Sequence, residues 1–92
     1  MKRRPIDFLD AIGVPESTNR RQREAARRWL RIAMEKELTS RQRECLLLYF
    51  RDRITMQEIG FRLGLTKGTV CRHIRKATDR LKRAAKYAPL SD

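Results

Sequence analysis

The sequence predicts an all-α protein, a small bundle of four to five helices that ends in a helix-turn-helix. Three observations support this fold class. Apolar residues recur at helical spacing, capping residues stand where helices would begin or end, and no segment alternates apolar and polar residues as a strand would. At 92 residues the chain has the size of one domain with a modest core. We therefore expect a single domain in three parts, 1–15, 16–37 and 38–88.

The first segment begins with four residues, Met-Lys-Arg-Arg, and then becomes apolar. Apolar residues at steps of three, from Ile6 to Ile12, predict a short helical turn that the following Gly-Val-Pro ends. Two interpretations stay open. The segment is either an N-terminal tail that lays Phe8 and Leu9 on the core, or a docking segment for a protein partner. The apolar stretch of a signal peptide is missing, so we do not expect export.

The second segment predicts one long basic amphipathic helix, because no glycine or proline interrupts residues 16–37. Ser17 or Thr18 is expected to cap its start. Its arginines form either a solvated face or a second phosphate-contacting surface. The apolar side consists of Ala26, Trp29, Leu30, Ala33 and Met34, and the arginines are Arg20, Arg21, Arg23, Arg27, Arg28 and Arg31.

A third helix is predicted to begin near residue 40. Thr39 or Ser40 can cap it, and Glu44 is placed for the return bond of a loose capping box. The run Cys45–Phe50 that follows is the most apolar in the chain, so we expect it at the centre of the core. A strand is the competing interpretation for so short a run, but the capping signal and the leucines favour a helix.

Residues 56–76 have the spacing of a helix-turn-helix. Thr55 is expected to cap the first helix, and Gly64 to close it in the left-handed conformation that glycine adopts without strain. Gly60 lies in mid-helix, where glycine is about 1 kcal/mol less favourable than alanine. We therefore expect another helix to cross close to Gly60.

A fifth, strongly basic helix is predicted from about Lys67 to about Tyr87. Thr66 is placed to cap it, with its hydroxyl toward the amide of Gly68 or Thr69. Its apolar residues follow at steps of four, three and four, the stripe of a helix packed on its neighbours. They are Val70, Ile74, Ala77 and Leu81.

The charge balance indicates a polyanionic partner. The chain has 23 basic and 11 acidic side chains, a net charge of +12. Between residues 62 and 86 there are nine Lys or Arg side chains and a single acid, Asp79. A solvated face would normally intersperse both signs, so this bias favours nucleic acid or an anionic membrane surface. No apolar run approaches the roughly 20 residues that would span a bilayer.

Chemistry other than binding has little support in the sequence. Cys45 and Cys71 match no zinc spacing, so free thiols in a reducing cytoplasm are expected. His73 is interpreted as a wedge between helices or a phosphate donor rather than a metal ligand. The acids are scattered and no glycine-rich phosphate loop follows a strand. We therefore expect no enzyme, no metal and no cofactor.

Six spaced blocks of sequence carry a family resemblance. They are LTSRQRE at 38–44, LLYF at 47–50, TMQEIG at 55–60, LGLT at 63–66, GTV at 68–70, and Ala77. Together they resemble the fourth region of bacterial sigma-70 family factors, above all the extracytoplasmic-function type and the stand-alone sigma-like proteins of phages and mobile elements. The resemblance implies a helical bundle whose last helix reads the minus-35 promoter element in the major groove. It also implies surfaces that meet the RNA polymerase flap and anti-sigma factors.

The sequence departs from that family in two places. Members usually carry a glycine before the Ser or Thr that opens the helix-turn-helix, whereas Asp52-Arg53-Ile54 fills this turn here, so a different turn geometry is expected. Nothing before residue 38 resembles the family's second region, which binds core polymerase and melts the minus-10 element. We therefore do not expect a complete promoter-opening sigma factor. The LuxR-type response-regulator tail is a similar helix-turn-helix, and the residues 41–44 alone do not separate the two families.

The predicted DNA-reading face lies on the recognition helix, about residues 66–80, on the side away from its apolar stripe. Lys67 and Arg72 are predicted to contact base edges, because both can donate to guanine acceptors. Gly68 would let the helix approach the DNA backbone closely. Cys71 either contacts a thymine methyl or is a small exposed residue without a role. A third interpretation is that oxidation of Cys71 controls DNA binding. Phosphate contacts are expected from Arg62, Thr66, Thr69, Arg75, Lys76, Arg80 and Arg41.

Three functions are compatible with these features. The preferred one is a sequence-specific DNA-binding transcription regulator on double-stranded DNA. The second is a protein-interaction module that binds RNA polymerase or an anti-sigma factor with little DNA specificity. The third is nonspecific binding of nucleic acid through charge alone. Trp29 and Leu30 are either the contacts of a homodimer or, for Trp29, part of the protein's own core, and both interpretations stay open. The expected location is the cytoplasm of a bacterial or phage-infected cell.

Overall fold

The computed structural model describes residues 8–12, 14 and 19–86, and this part of the chain is all-α. None of the helices described is long and apolar enough to cross a membrane. The predicted fold class, a small bundle of four to five helices, is confirmed. In chain order the helices are α1 (Phe8–Ala11), α2 (Arg20–Glu37), α3 (Ser40–Phe50), α4 (Met56–Leu63) and α5 (Lys67–Ala85).

The central helix of the bundle is α5, which packs against α2, α3 and α4. Its predicted stripe is buried along its whole length, from Val70 to Leu81. Cys45 and Leu46 of α3 are buried in the same core, whereas the rest of the apolar run of α3 is only half-buried. Burial raises the pKa of the Cys45 thiol, so the neutral form persists and packs as a small apolar group.

The short helix α1 lays its apolar side on the bundle. Leu9, Ile12 and Val14 are buried, and the ring centroid of Phe8 lies 4.7 Å from that of Phe50 in α3. A helix of one turn is not stable by itself in water, so this burial is what orders it. The structure thus places Leu9, Ile12 and Val14 in the core and packs Phe8 against it. The basic start at residues 1–7 lies outside the described part.

The caps of α2 and α3 differ in detail from those predicted. Asn19 caps α2: its side-chain oxygen accepts from the Gln22 amide at 2.8 Å, and the Gln22 side chain accepts from the Asn19 amide at 3.3 Å. Of the consecutive polar residues 17–19, only Asn19 has a glutamine three positions on, which completes a capping box. The expected caps Ser17 and Thr18, which lie outside the described residues, were therefore wrong.

Thr39 caps α3, as predicted, but its partner in the capping box is Gln42. The Thr39 hydroxyl accepts from the Gln42 amide at 3.1 Å, and the Gln42 side chain accepts from the Thr39 amide at 3.1 Å. A return bond comes from the third helical position, and Glu44 lies two residues beyond it. Glu44 pairs instead with Arg41, at 3.1 Å.

Arg43 joins α3 to the end of α2. Its Nε donates to the Met34 carbonyl at 3.2 Å, and its guanidinium lies 4.0 Å from the Glu35 carboxylate. Met34 is among the last four residues of α2, whose carbonyls have no partner within the helix. Arg43 therefore satisfies an unpaired helix end and fixes how α2 meets the bundle.

Candidate nucleic-acid interface

The turn that leads into α4 contains a residue in the left-handed conformation. Arg53 has φ +58°, the only positive value at a non-glycine position in the described part of the chain. This conformation costs an L-residue roughly 1–2 kcal/mol, and glycine adopts it freely. The absence of a glycine in this turn is therefore accompanied by local backbone strain at Arg53. Hydrogen bonds from Arg51 at 2.9 and 3.1 Å hold the pKa of the neighbouring Asp52 below its ordinary value.

The helix α4 begins and ends as predicted. The Thr55 hydroxyl accepts from the Glu58 amide at 3.1 Å, and Gly64 closes the helix with φ 71°. The close approach at Gly60 was assigned to the wrong neighbour. A Cβ at Gly60 would lie 2.5 Å from the carbonyl oxygen of Leu65, so the backbone of the turn itself, not a crossing helix, requires glycine there. The Leu65 amide also donates to the Gly60 carbonyl at 2.8 Å, which holds the turn against α4.

Thr66 caps α5 by accepting from the amide of Thr69 at 3.1 Å, one of the two partners predicted. Its own hydroxyl donates to the Thr69 hydroxyl oxygen at 2.9 Å. The Thr66 hydroxyl hydrogen is therefore in use, whereas that of Thr69 is still available for a phosphate oxygen. We call α4, the turn 64–66 and α5 the recognition unit.

The cations predicted to read DNA are exposed on α5. Lys67, Arg72 and Lys76 are exposed, and none has an acidic partner among the residues described. Arg75 is exposed too, with its guanidinium 3.9 Å from the sulfur of Cys71, which is half-buried. The exposed surface of α5 therefore combines unpaired positive charge with the N-terminal end of a well-capped helix.

Three further residues of this region are exposed or half-buried. Gly68 is exposed, and a Cβ there would meet nothing closer than the Thr66 hydroxyl at 4.0 Å, so nothing within the chain demands a glycine. His73 is half-buried, and it belongs to no group of three metal-binding side chains in the described residues. Asp79, the single acid of the basic region, is exposed and unpaired in that part of the chain.

The other arginines predicted to contact phosphates already have acidic partners. All these pairs are exposed, so each contributes only about 0–1 kcal/mol and a phosphate can replace the carboxylate. The pairs are Arg62–Glu58 at 3.4 Å, Arg80–Glu37 at 3.5 Å and Arg41–Glu44 at 3.1 Å.

Phe61 is 84% exposed on α4, which was not predicted from the sequence. The spacing nevertheless indicates it. Phe61 is two residues from both Ile59 and Leu63, about 200° around the helix from each, so a helix that packs those two against the core must present Phe61 to solvent.

Comparison with known proteins gives one match. The family model described as "Sigma-70, region 4" matches residues 33–83, more than half of the chain. The matched span covers the end of α2, all of α3 and α4, and α5 up to residue 83. No curated protein and no solved structure matches the chain.

Proposed function

The chain belongs to the sigma-70 region 4 family, whose members are DNA-binding helix-turn-helix domains, and on this premise we propose that it is a sequence-specific transcription regulator. The family resemblance read from the blocks between residues 38 and 84 is thereby confirmed. In this proposal α5 enters the major groove of double-stranded DNA, and the protein acts by binding rather than by catalysis.

The observation that carries the proposal is the exposed, unpaired cationic face at the start of α5. Residues near the start of a recognition helix reach base edges, and long cationic side chains donate to the O6 and N7 acceptors of guanine. Lys67 and Arg72 are the two that satisfy both conditions. Gly68, between them, leaves room for the helix to come close to the duplex. Cys71, half-buried beside them, is small enough to contact a thymine methyl.

Phosphate contacts would fix the position of α5 in the groove. Arg75 and Lys76 follow the reading positions by one turn, and Thr69 retains a hydroxyl hydrogen for a phosphate oxygen. Thr66 contributes through its place at the helix start. The paired arginines would exchange a carboxylate for a phosphate on binding, and they are Arg62, Arg80 and Arg41.

The test is selection of bound duplexes from a random pool at moderate salt, with the wild-type protein and with Arg72→Ala. We expect a defined motif that relaxes at one position in the variant, with a loss of about 1–3 kcal/mol for the preferred base there. Arg28→Ala is the matched control, since it removes an exposed, unpaired arginine from α2 and should leave the motif unchanged. Equal binding of unrelated duplexes would instead support charge-driven binding without specificity.

Family membership also supports a second role, because sigma region 4 domains bind RNA polymerase as well as DNA. In this alternative the protein contacts RNA polymerase or an anti-sigma factor and uses DNA little. Core polymerase that is retained equally by the wild type and by Arg72→Ala, with no motif selected, would favour it. Either role fits the cytoplasm of a bacterial or phage-infected cell.

A homodimer on a two-fold DNA site is a further form of the proposed regulator. Trp29 and Leu30, its suggested contacts, are half-buried against the core of the same chain. We therefore favour a monomer. Sedimentation of the protein with and without its selected duplex distinguishes one bound copy from two.

A further inference from the structure

The helix α2 has an exposed face that DNA reading by α5 does not use. Residues at steps of three and four lie on one side of a helix, and the side opposite this face is buried through Ala26, Ala33 and Met34. Only the end of α2, from residue 33, falls within the span that matches the family. We call this surface the α2 outer face, and it consists of Arg21, Ala25, Arg28, Trp29, Ile32 and Lys36.

An apolar stripe runs along the middle of the α2 outer face. Ile32 is 56% exposed and, with Phe61, is one of two large apolar side chains that the described part of the chain leaves exposed. Ala25 and Trp29 are half-buried and stand seven and three residues before it. A spacing of four and then three is the stripe through which one helix packs on another. Trp29 also packs partly against the core of the same chain, and Ile32 is the exposed member of this stripe.

The unpaired charges beside the stripe are all positive. Arg21, Arg28 and Lys36 are exposed, and none has an acidic partner among the residues described. Two acids of α2 also lie near the stripe, but each is paired with an arginine: Glu24 with Arg20 at 3.7 Å and Glu35 with Arg43 at 4.0 Å. The α2 outer face therefore has a net positive charge.

We propose that the α2 outer face binds an acidic amphipathic helix of a partner protein. Such a helix would lay its apolar side on Ala25, Trp29 and Ile32, and its carboxylates would meet Arg21, Arg28 and Lys36. Nucleic acid fits less well, since phosphates need the arginines but gain nothing from an exposed isoleucine. The proposal does not rest on DNA reading by α5.

The probe is a labelled synthetic helical peptide of about five turns, with leucines at steps of three and four and glutamates on both flanks. Its binding to the full chain is followed by fluorescence anisotropy at moderate salt. We expect Ile32→Ser to weaken binding at least fivefold although it leaves every charge in place, because the apolar contact is lost. The same peptide with glutamine in place of glutamate should also bind at least fivefold more weakly.

Two variants distinguish peptide binding at the α2 outer face from attraction of the peptide by net charge. Arg28→Ala and Arg72→Ala each remove one exposed, unpaired arginine, the first from α2 and the second from α5. We expect the first to weaken peptide binding several-fold and the second to leave it unchanged. Circular dichroism melting of each variant verifies that these exposed substitutions leave the fold intact.

Three results would overturn the proposal. Peptide binding that is unaffected by Ile32→Ser would show that the stripe takes no part. Equal losses in Arg28→Ala and Arg72→Ala would show that net charge alone holds the peptide. A loss of duplex affinity in Arg28→Ala with unchanged peptide binding would make the surface a phosphate contact. Failure of the DNA-binding proposal would be detected independently, by the absence of a selected DNA motif.

Discussion

The helices α2 and α5 are similar in length and charge, yet their surroundings differ. They have 18 and 19 residues, and each carries seven Lys or Arg side chains. In α2 these accompany three acids, and in α5 only one, Asp79. The start of α5 is positioned by a tight turn against α4 and by packing on three helices, whereas α2 lies on the outside of the bundle and presents an exposed isoleucine. The two helices therefore differ in surroundings rather than in number of cations, and the proposal of DNA reading by α5 depends on the fixed position of its start.

The largest effect is expected from Gly60→Ala, which would break the fixed position of α5. The added Cβ would lie 2.5 Å from the Leu65 carbonyl oxygen, so the turn has to move. We expect the free energy of unfolding to fall by about 2–3 kcal/mol, measured by urea denaturation. Duplex affinity should fall as well, while peptide binding to the α2 outer face of the folded fraction should persist.

Gly68→Ala is the matched control for that substitution. Its Cβ would stand in open space, and alanine is the better helix former by up to about 1 kcal/mol. Stability should therefore hold or rise. Reduced DNA affinity in a protein of unchanged or higher stability would place position 68 against the duplex. A Gly60→Ala protein as stable as the wild type would contradict the close approach at Leu65.

The next effect tests directly whether α5 rather than α2 meets phosphates. Lys76→Ala should reduce duplex affinity about five- to tenfold, ~1 kcal/mol, and lower the slope of log K against log salt by about 0.9. Arg31→Ala removes the same charge from an exposed, unpaired position on α2 and should change neither quantity. Fluorescence titration over a salt series measures both. Equal effects would mean that α2 and α5 share the DNA contact.

An effect of similar size concerns how α2 is attached. Arg43→Ala removes the bond to the Met34 carbonyl and the contact with Glu35, and we expect a loss of about 1 kcal/mol in the free energy of unfolding. Arg41→Ala, which removes only an exposed pair with Glu44, should cost no more than about 0.5 kcal/mol. Thermal denaturation of both variants checks the order, and a reversed order would refute the role of Arg43.

The smallest effect is expected from Arg53→Gly, which relaxes the turn that leads into the recognition unit. Relief of the left-handed strain, about 1–2 kcal/mol, should outweigh the chain entropy of glycine, about 0.5–1 kcal/mol, and leave a gain near 0.5 kcal/mol. Arg53→Val should act in the opposite direction, because a β-branched residue tolerates this conformation worst. Urea denaturation of both variants tests the signs. Destabilisation by glycine would mean that the Arg53 side chain contributes more than the strain removes.

Most of the fold could be predicted because its signals are local. The stripe of α5, the caps Thr39, Thr55 and Thr66, and the closing Gly64 each depend on a few neighbouring residues. Predictions were wrong where several neighbouring residues could cap a helix, as at the start of α2, or where a contact depends on the tertiary structure. No spacing rule could reveal that the backbone at Leu65, rather than a helix, lies against Gly60.

The exposed cations of the candidate site could be predicted from the sequence, but their ion pairs could not. Lys67, Arg72 and Lys76 were predicted to point away from the apolar stripe, and all three are exposed in the structure. The sequence did not show that Arg80 pairs with Glu37 of α2, because the partner is distant in the chain. The sequence also did not predict that Ile32 is exposed, because the exposure of one residue depends on which surfaces the bundle leaves uncovered.

The packing of α2 against α5 has a further consequence, because α5 is one unbroken helix. Nineteen residues at 1.5 Å each make it about 28 Å long, so a tilt of about 5° at one end moves the other by roughly 2.5 Å. A ligand that shifts α2 would thus also move the end of α5 that we propose enters the groove. By linkage the effect is mutual: whatever factor a partner on α2 imposes on DNA affinity, the cognate duplex imposes on that partner's affinity.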